Sequence, residues 1–233
     1  MPINSLINSL VGYEAKRKRL LKKVPSGPLH DFLSVPFPAL DIPIDELPIL
    51  AVDFETTGLD AKADKLLSVG FVSLDQEQIK LNTSYHQIIK TKRQLEESNV
   101  IIHQITDHQK EQGQPLALVV EKLLKALTGK VMLVHFARIE RQFLQQACLE
   151  LYGFMPDFPM IDTLVIAKRQ LDKRDISYDP SELRLSTLRN KYKLPDHHGH
   201  DALNDAIATA ELLLAQMANR ADTDKALLKD MIL

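Results

Sequence analysis

Ile49-Leu-Ala-Val-Asp-Phe-Glu-Thr-Thr-Gly-Leu-Asp60 runs four apolar residues straight into two acids, Asp53 and Glu55. A short apolar run of this kind reads as a buried strand. Side chains two apart on a strand share a face, so a strand continuing through Glu55 projects both carboxylates together. Two adjacent carboxylates repel, and burial raises the cost of their charge. A hard divalent cation that takes both as oxygen ligands removes that cost. Thr56-Thr57-Gly58 then suits a turn, with Gly58 free to take an unusual backbone angle. Taken alone, the spacing equally fits a strand end whose acids point into water.

Working outward, residues 66–74 (LLSVGFVSL) and 79–89 read as two further strands, with Gly70 inside the first of them. Short polar connections predict an antiparallel meander of three strands. The period then changes. Leu116, Val119, Val120, Leu123, Leu124 and Leu127 are spaced three and four apart and predict an amphipathic helix over 115–127. A short strand is predicted at 131–134, and helices at 137–151, 162–171, 185–192 and 201–219. Strands followed by strand–helix units argue for an α/β fold, a mixed sheet with helices packed on it.

The chain has 233 residues, 45% of them apolar and 26% charged, the profile of a soluble globular protein. No apolar run is long enough to span a bilayer and no secretory signal is read, so the expectation is a cytoplasmic protein without a membrane partner. The single Cys148 excludes an internal disulfide, and its apolar helical setting predicts a buried thiol. Net charge is −2, but residues 1–30 carry six basic side chains and one acid, leaving −7 for the rest. This basic arm can hold nucleic acid or an acidic protein partner, or can simply be a solvated helical face. Six prolines between Pro25 and Pro48 predict an extended linker or strap. Residues 1–46 are therefore expected to form an N-terminal extension, 47–220 the main domain and 221–233 a short tail.

Two further segments carry chemistry. In "HHGHDALNDAIATAEL", His200 lies five residues before Asp205. On one continuous helix that separation is about 140°. Asp201, however, is suited to cap a helix starting there, which leaves His200 on the entering loop and Asp205 one turn in. Both can then approach one point, where a histidine can act as general base. His197 and His198 read as surface residues that could touch substrate. In "LVHFARIERQFL", His135 ends a strand and Glu140 sits early in the next helix. Glu140 would add a carboxylate to the cluster, or face solvent beside Arg138 and Arg141. Lys168, Arg169, Lys173 and Arg174 are candidates for phosphate contacts or solvated helix charges.

Asp53-Phe-Glu-Thr-Thr-Gly58, His135 with Glu140, and His200 with Asp205 occur in an order and spacing that together resemble the DnaQ-like 3′–5′ exonucleases of the DEDDh type. That family includes the epsilon subunit of bacterial DNA polymerase III and RNase T. Ile161-Asp-Thr-Leu164 resembles the family's segment before the last helices, and the resemblance covers roughly residues 47–218. It implies a ribonuclease-H-like sheet flanked by helices, and two divalent ions, Mg²⁺ or Mn²⁺, held by four acids. Position by position, Asp53, Glu55 and Asp205 match three of these. Glu140 stands where the family usually has Asp, and Phe136 where it often has Asn. His200 matches the general base. By the same resemblance Thr56, Thr57, Gly58, Leu59, His135 and Phe136 line the substrate, Leu59 as a wedge on the terminal base. The implied activity is removal of nucleoside 5′-monophosphates from the 3′ end of a DNA or RNA strand, most simply a single strand. The alternatives are a non-catalytic binding module of the same fold and an RNA-trimming exoribonuclease.

Overall fold

The computed structural model describes residues 3–91, 111–173, 175, 177–220 and 225–233. The apolar run that opens the acid motif is β1 (Ile49–Thr56), at the centre of a five-stranded sheet. β2 (Leu66–Asp75) and β3 (Gln78–Ile88) follow it as an antiparallel meander, while β4 (Val131–Val134) and β5 (Met160–Asp162) add in parallel on its other side. The order is β3-β2-β1-β4-β5, the mixed sheet expected from the sequence. Gln76 and Glu77, both at positive φ (50° and 56°), make the two-residue β2–β3 turn. A turn with two left-handed residues matches the right-handed twist of the flanking strands.

β1 is buried on both faces, as a central strand must be. Leu50, Val52 and Phe54 face a layer built from α3 (Leu116–Leu127) and α4 (Arg138–Tyr152). Ile49 and Ala51 face the opposite layer, formed chiefly by α7 (Ala202–Ala218). Asp53 and Glu55 continue this second parity and therefore lie on the α7 face. Ala167 of α5 (Thr163–Lys173), Leu183 at the end of a 3-10 turn (Pro180–Leu183) and Leu188 of α6 (Leu185–Lys191) pack as a satellite cluster against Leu212 of α7. Cys148 is buried on α4, and burial pushes its thiol up to about 12, so it is inert as a nucleophile.

The proline-rich segment departs from the extended reading. Pro28–Ser34 is a helix, α2, because Pro28 occupies the first turn, where its missing N–H costs nothing. Its Leu29, Phe32 and Leu33 enter the core, each contributing about 1.5–3 kcal/mol. The basic arm is helical as well (α1, Ile3–Leu21), and part of its charge is used internally. Arg17 is buried, chelates the Glu14 carboxylate and donates to Leu33 O of α2; Lys16 pairs with Asp157 at 3.0 Å. At the other end, Leu228 and Met231 of α8 (Leu228–Met231) and the following Ile232 are buried, with Leu227 bridging Pro43 and Ile232 bridging Ile161. No described helix is long and apolar enough to cross a membrane.

Candidate active site

β1 stays extended through Glu55, opposite Ser68 of β2, so the two acids point the same way. α7 brings Asp205 to them. One carboxylate oxygen from each of Asp53, Glu55 and Asp205 lies within 4.8 Å of the other two. Burial drives the Asp53 carboxyl well above its ordinary range, reinforced by the charges of Glu140, Asp205 and Glu55. Burial raises Asp205 as well, against the opposing pull of the His200 N–H and His197.

The approach of α7 depends on Gly70. Gly70 pairs directly with Asp53 across β1 and β2, on the same face of the sheet. A Cβ there would overlap the backbone of Ala202 and Leu203, the first residues of α7. Asp201 caps this helix, its Oδ1 accepting from Asn204 N at 2.9 Å. His200 is thereby left on the entering loop, as expected, and Asp205 just over one turn in. His200 adopts a left-handed φ of 67° and donates its backbone N–H to Asp205 Oδ2 at 2.9 Å, with an exposed side chain. His197, read from sequence as a surface residue, instead reaches the acid: its Nε2 lies 3.0 Å from Asp205 Oδ1. His198 is exposed.

Glu140 is 3% exposed, so the solvent-facing alternative does not hold. It enters from α4, in the opposite layer, and interacts electrostatically with both Asp53 and Glu55. Burial, with Asp162 and Glu55, raises its carboxyl to about 8. Its buried Oε2 has no hydrogen-bond partner among the described residues. The oxygens of Asp53, Glu55 and Asp205 that converge within 4.8 Å form a donor set that a hard cation fits, with Glu140 beside it through its charge interactions with Asp53 and Glu55.

Asp162, at the end of β5, was read from sequence as the start of a helix. Its buried carboxylate accepts from Phe136 N (3.1 Å), Ala137 N (2.8 Å) and Leu164 N (2.9 Å). It thus caps α5 and fixes the turn from β4 into α4 that delivers Glu140. Phe136, at the apex of that turn, is held at φ 78° with its ring 45% exposed. A bulky residue with this backbone is strained, a condition that persists where surrounding contacts impose it. His135 lies between Thr163 Oγ1 (2.8 Å from Nδ1) and Leu183 O (2.9 Å from Nε2). A carbonyl can only accept, so Nε2 carries a proton, and burial disfavours a second one. Both ring nitrogens are thus engaged within the protein.

The 56–65 loop is also tied to itself. Thr56 Oγ1 donates to Gly58 O (2.7 Å); Thr57 Oγ1 donates to Asp64 Oδ1 (3.1 Å) and accepts from Lys65 N (3.0 Å). Gly58 is not at a left-handed φ; a Cβ there would meet the Asp64 carboxylate, which would have to shift from its bonds to Thr57 and Asp60. Leu59 projects from this loop, 71% exposed. Of the basic candidates on α5, Lys168 pairs with Asp172 (2.7 Å) and Arg169 donates to Asp230 O (3.0 Å). Arg174 lies outside the described residues.

Several known proteins share this arrangement of elements. The nuclease domain of 3′hExo, a DEDDh family member solved with rAMP, superposes with a TM-score of 0.62 at 16% identity, covering 82% of this chain and 98% of that one. Cell-death related nuclease 4 gives a TM-score of 0.64 at 19% identity, over 75% of this chain and 64% of that one. In sequence, a PolC-type DNA polymerase III of Thermotoga petrophila is 30% identical over 174 residues, 75% of this chain but 12% of the polymerase. The DNA polymerase III epsilon subunit of Treponema pallidum is 27% identical over 172 residues, 73% of this chain and 77% of that subunit. Residues 50–213 match the RNase T exonuclease family. The match covers more than half of the chain and all three acid motifs, and the protein belongs to that exonuclease family.

Proposed function

We propose that this chain hydrolyses the terminal phosphodiester at the 3′ end of a single-stranded nucleic acid and releases nucleoside 5′-monophosphates. The observation that carries this reading is the convergence of Asp53, Glu55 and Asp205 within 4.8 Å on an exonuclease fold. Asp53, Glu55, Asp205 and Glu140 would hold divalent cations, Mg²⁺ or Mn²⁺. Such a pair supplies Lewis acidity to the phosphate and to the attacking water. His200, on a loop fixed to Asp205 by its own backbone, takes the proton from that water. The carboxylates remain ionised only while their charge is balanced, so the four acids and the cations form one unit.

The remaining residues shape the substrate's path. Leu59 and Phe136 are exposed and would meet the terminal bases. Thr56, Thr57 and Gly58 set the loop that presents Leu59. His135 supports the site indirectly, since both its nitrogens bond within the protein. A single strand agrees with relatives solved on such substrates, among them E. coli exonuclease I with single-stranded DNA. A non-catalytic module is disfavoured because all four acidic positions are kept.

A substrate panel tests the proposal: 3′-labelled single-stranded DNA, duplex DNA, mismatched ends and short RNA, each with Mg²⁺ and with Mn²⁺. Release of mononucleotides from the single strands is expected. No cation-dependent release from any substrate would refute the activity, and release from RNA alone would reassign it to RNA trimming.

A further inference from the structure

The loop between α6 and α7, which carries His200, is built on a single buried arginine. Arg189 on α6 is 2% exposed. One terminal nitrogen donates to Ala208 O of α7 at 2.8 Å and lies 2.7 Å from Glu211 Oε2 on the same helix. The other donates to Pro195 O at 2.8 Å. The main-chain carbonyl of Arg189 accepts from Tyr192 N and Leu194 N, both at 3.1 Å. Arg189 therefore holds the first half of the loop by backbone and side chain together. It ties that half to α7 less than one turn beyond Asp205. At the far end, His200 N–H donates to Asp205 Oδ2 at 2.9 Å. Lys193 and His200, which bracket the loop, both adopt left-handed backbone (φ 55° and 67°). Two such residues cost free energy that these fastenings must offset.

His200 is exposed, so the backbone of the loop, rather than core packing, sets where its ring lies. We propose that Arg189 is a positioning residue for the reaction: its guanidinium clamps Pro195 to Ala208 and so fixes where the loop holds His200 relative to Asp205. A guanidinium serves both carbonyls at once because its donors diverge in a fixed plane. A lysine at the same place keeps the charge and can pair with Glu211, but its compact ammonium does not reproduce that fork. The inference rests on the proposed role of His200 as general base. The acids proposed to hold cations stand on β1, α4 and α7 and not on the clamped loop, so cation uptake and proton transfer should separate.

The test is single-turnover nucleotide release from a 3′-labelled single strand in saturating Mn²⁺. The full chain is assayed as wild type, Arg189→Lys, His200→Ala and the double variant, with Mn²⁺ calorimetry and thermal unfolding of each. Arg189→Lys is expected to slow release about 10–100-fold, the effect of a misplaced catalytic group, with Mn²⁺ affinity within about threefold of wild type. In the His200→Ala background the same substitution should cause no further loss, because residues acting through one group are not additive. Equal losses in both backgrounds, or no loss in either, overturn the positioning role. A matching fall in Mn²⁺ affinity also overturns it and makes Arg189 a support of α7. Glu211→Gln leaves both carbonyl bonds in place and should match wild type; slowing as large as that of Arg189→Lys would assign the effect to the charge pair and overturn the clamp. Should Arg189→Lys not fold, Arg189→Gln replaces it, and failure of both to fold makes Arg189 a core element and overturns the proposal. Release by His200→Ala at the wild-type rate refutes the general base itself, and this inference with it, as would a wild type that releases nothing.

Discussion

Gly70 and Ala202 meet backbone to backbone: no Cβ fits at Gly70 without overlapping the carbonyl of Ala202 and the nitrogen of Leu203. Because Gly70 is the cross-strand partner of Asp53, this close approach sets how near α7 brings Asp205 to β1. Gly70→Ala is expected to cost about 1–3 kcal/mol, the range for overpacking a well-filled site, and to weaken Mn²⁺ uptake as α7 shifts outward. Urea unfolding and calorimetry on the same samples check it. Wild-type stability together with wild-type affinity would contradict it.

The acid cluster predicts an inverted pH dependence for the cation-free protein. The Glu140 carboxyl is raised from the ordinary 4.5 to about 8, and Asp53 is raised in the same direction. Between those values the folded state holds protons that the unfolded chain releases, so stability is full below about pH 4.5 and falls as pH climbs towards 8. Urea unfolding in EDTA at pH 5, 6, 7 and 8 should show this decline. Glu140→Gln, neutral throughout, should flatten it. Because a cation must displace the protons, Mn²⁺ affinity in the wild type should rise over the same interval.

Asp162 is the fastening of the second motif. Asp162→Ala strands three backbone N–H groups, two of them in the turn that presents Phe136 and Glu140. Hydrogen bonds to a charged group contribute about 1.5–3 kcal/mol each, and losses at one site add incompletely. A destabilisation of about 2–4 kcal/mol in urea is therefore expected, with Asp162→Asn losing less because it keeps an acceptor. A loss below 1 kcal/mol for the alanine variant would show that the turn does not depend on this carboxylate.

Phe136 should trade stability for binding. Asparagine tolerates left-handed backbone better than phenylalanine, so Phe136→Asn should be at least as stable as wild type. If its ring stacks on a base, the same change removes about 1–3 kcal/mol of single-strand affinity, a 5- to 150-fold rise in Kd. Fluorescence anisotropy of a labelled oligonucleotide, with Ca²⁺ replacing Mg²⁺ to suppress cleavage, measures it. Unchanged affinity would remove Phe136 from the substrate path.

The frame of the site was legible because its parts are local and periodic. The two-residue spacing of Asp53 and Glu55 needs only a strand, and the placement of His200 and Asp205 needs only the Asp201 cap. What escaped the sequence depends on contacts between distant segments. Gly70 was visible as a glycine in a strand, but not as the seat of α7, 132 positions away. Asp162 was visible as part of a motif, but its hydrogen bonds reach back 25 and 26 positions to the β4–α4 turn. His197 read as a surface residue because its direction is set by a loop with left-handed residues at both ends, for which its composition gives no pattern. The α2 helix was missed because proline density argued for extension, although Pro28 stands at the one helical position where proline is favourable.

The central claim is that acids from β1 and α7 hold cations that cut a 3′-terminal phosphodiester, and Asp53, which faces Glu140, Asp205 and Glu55 together, is its most exacting test. The measurement is the rate of nucleoside 5′-monophosphate release from a 3′-labelled single strand in Mn²⁺, for wild type and for folded Asp53→Ala. The account predicts release by wild type and a loss of at least about 1,000-fold in the variant, roughly 4 kcal/mol of lost transition-state stabilisation. Release by Asp53→Ala at the wild-type rate would contradict it.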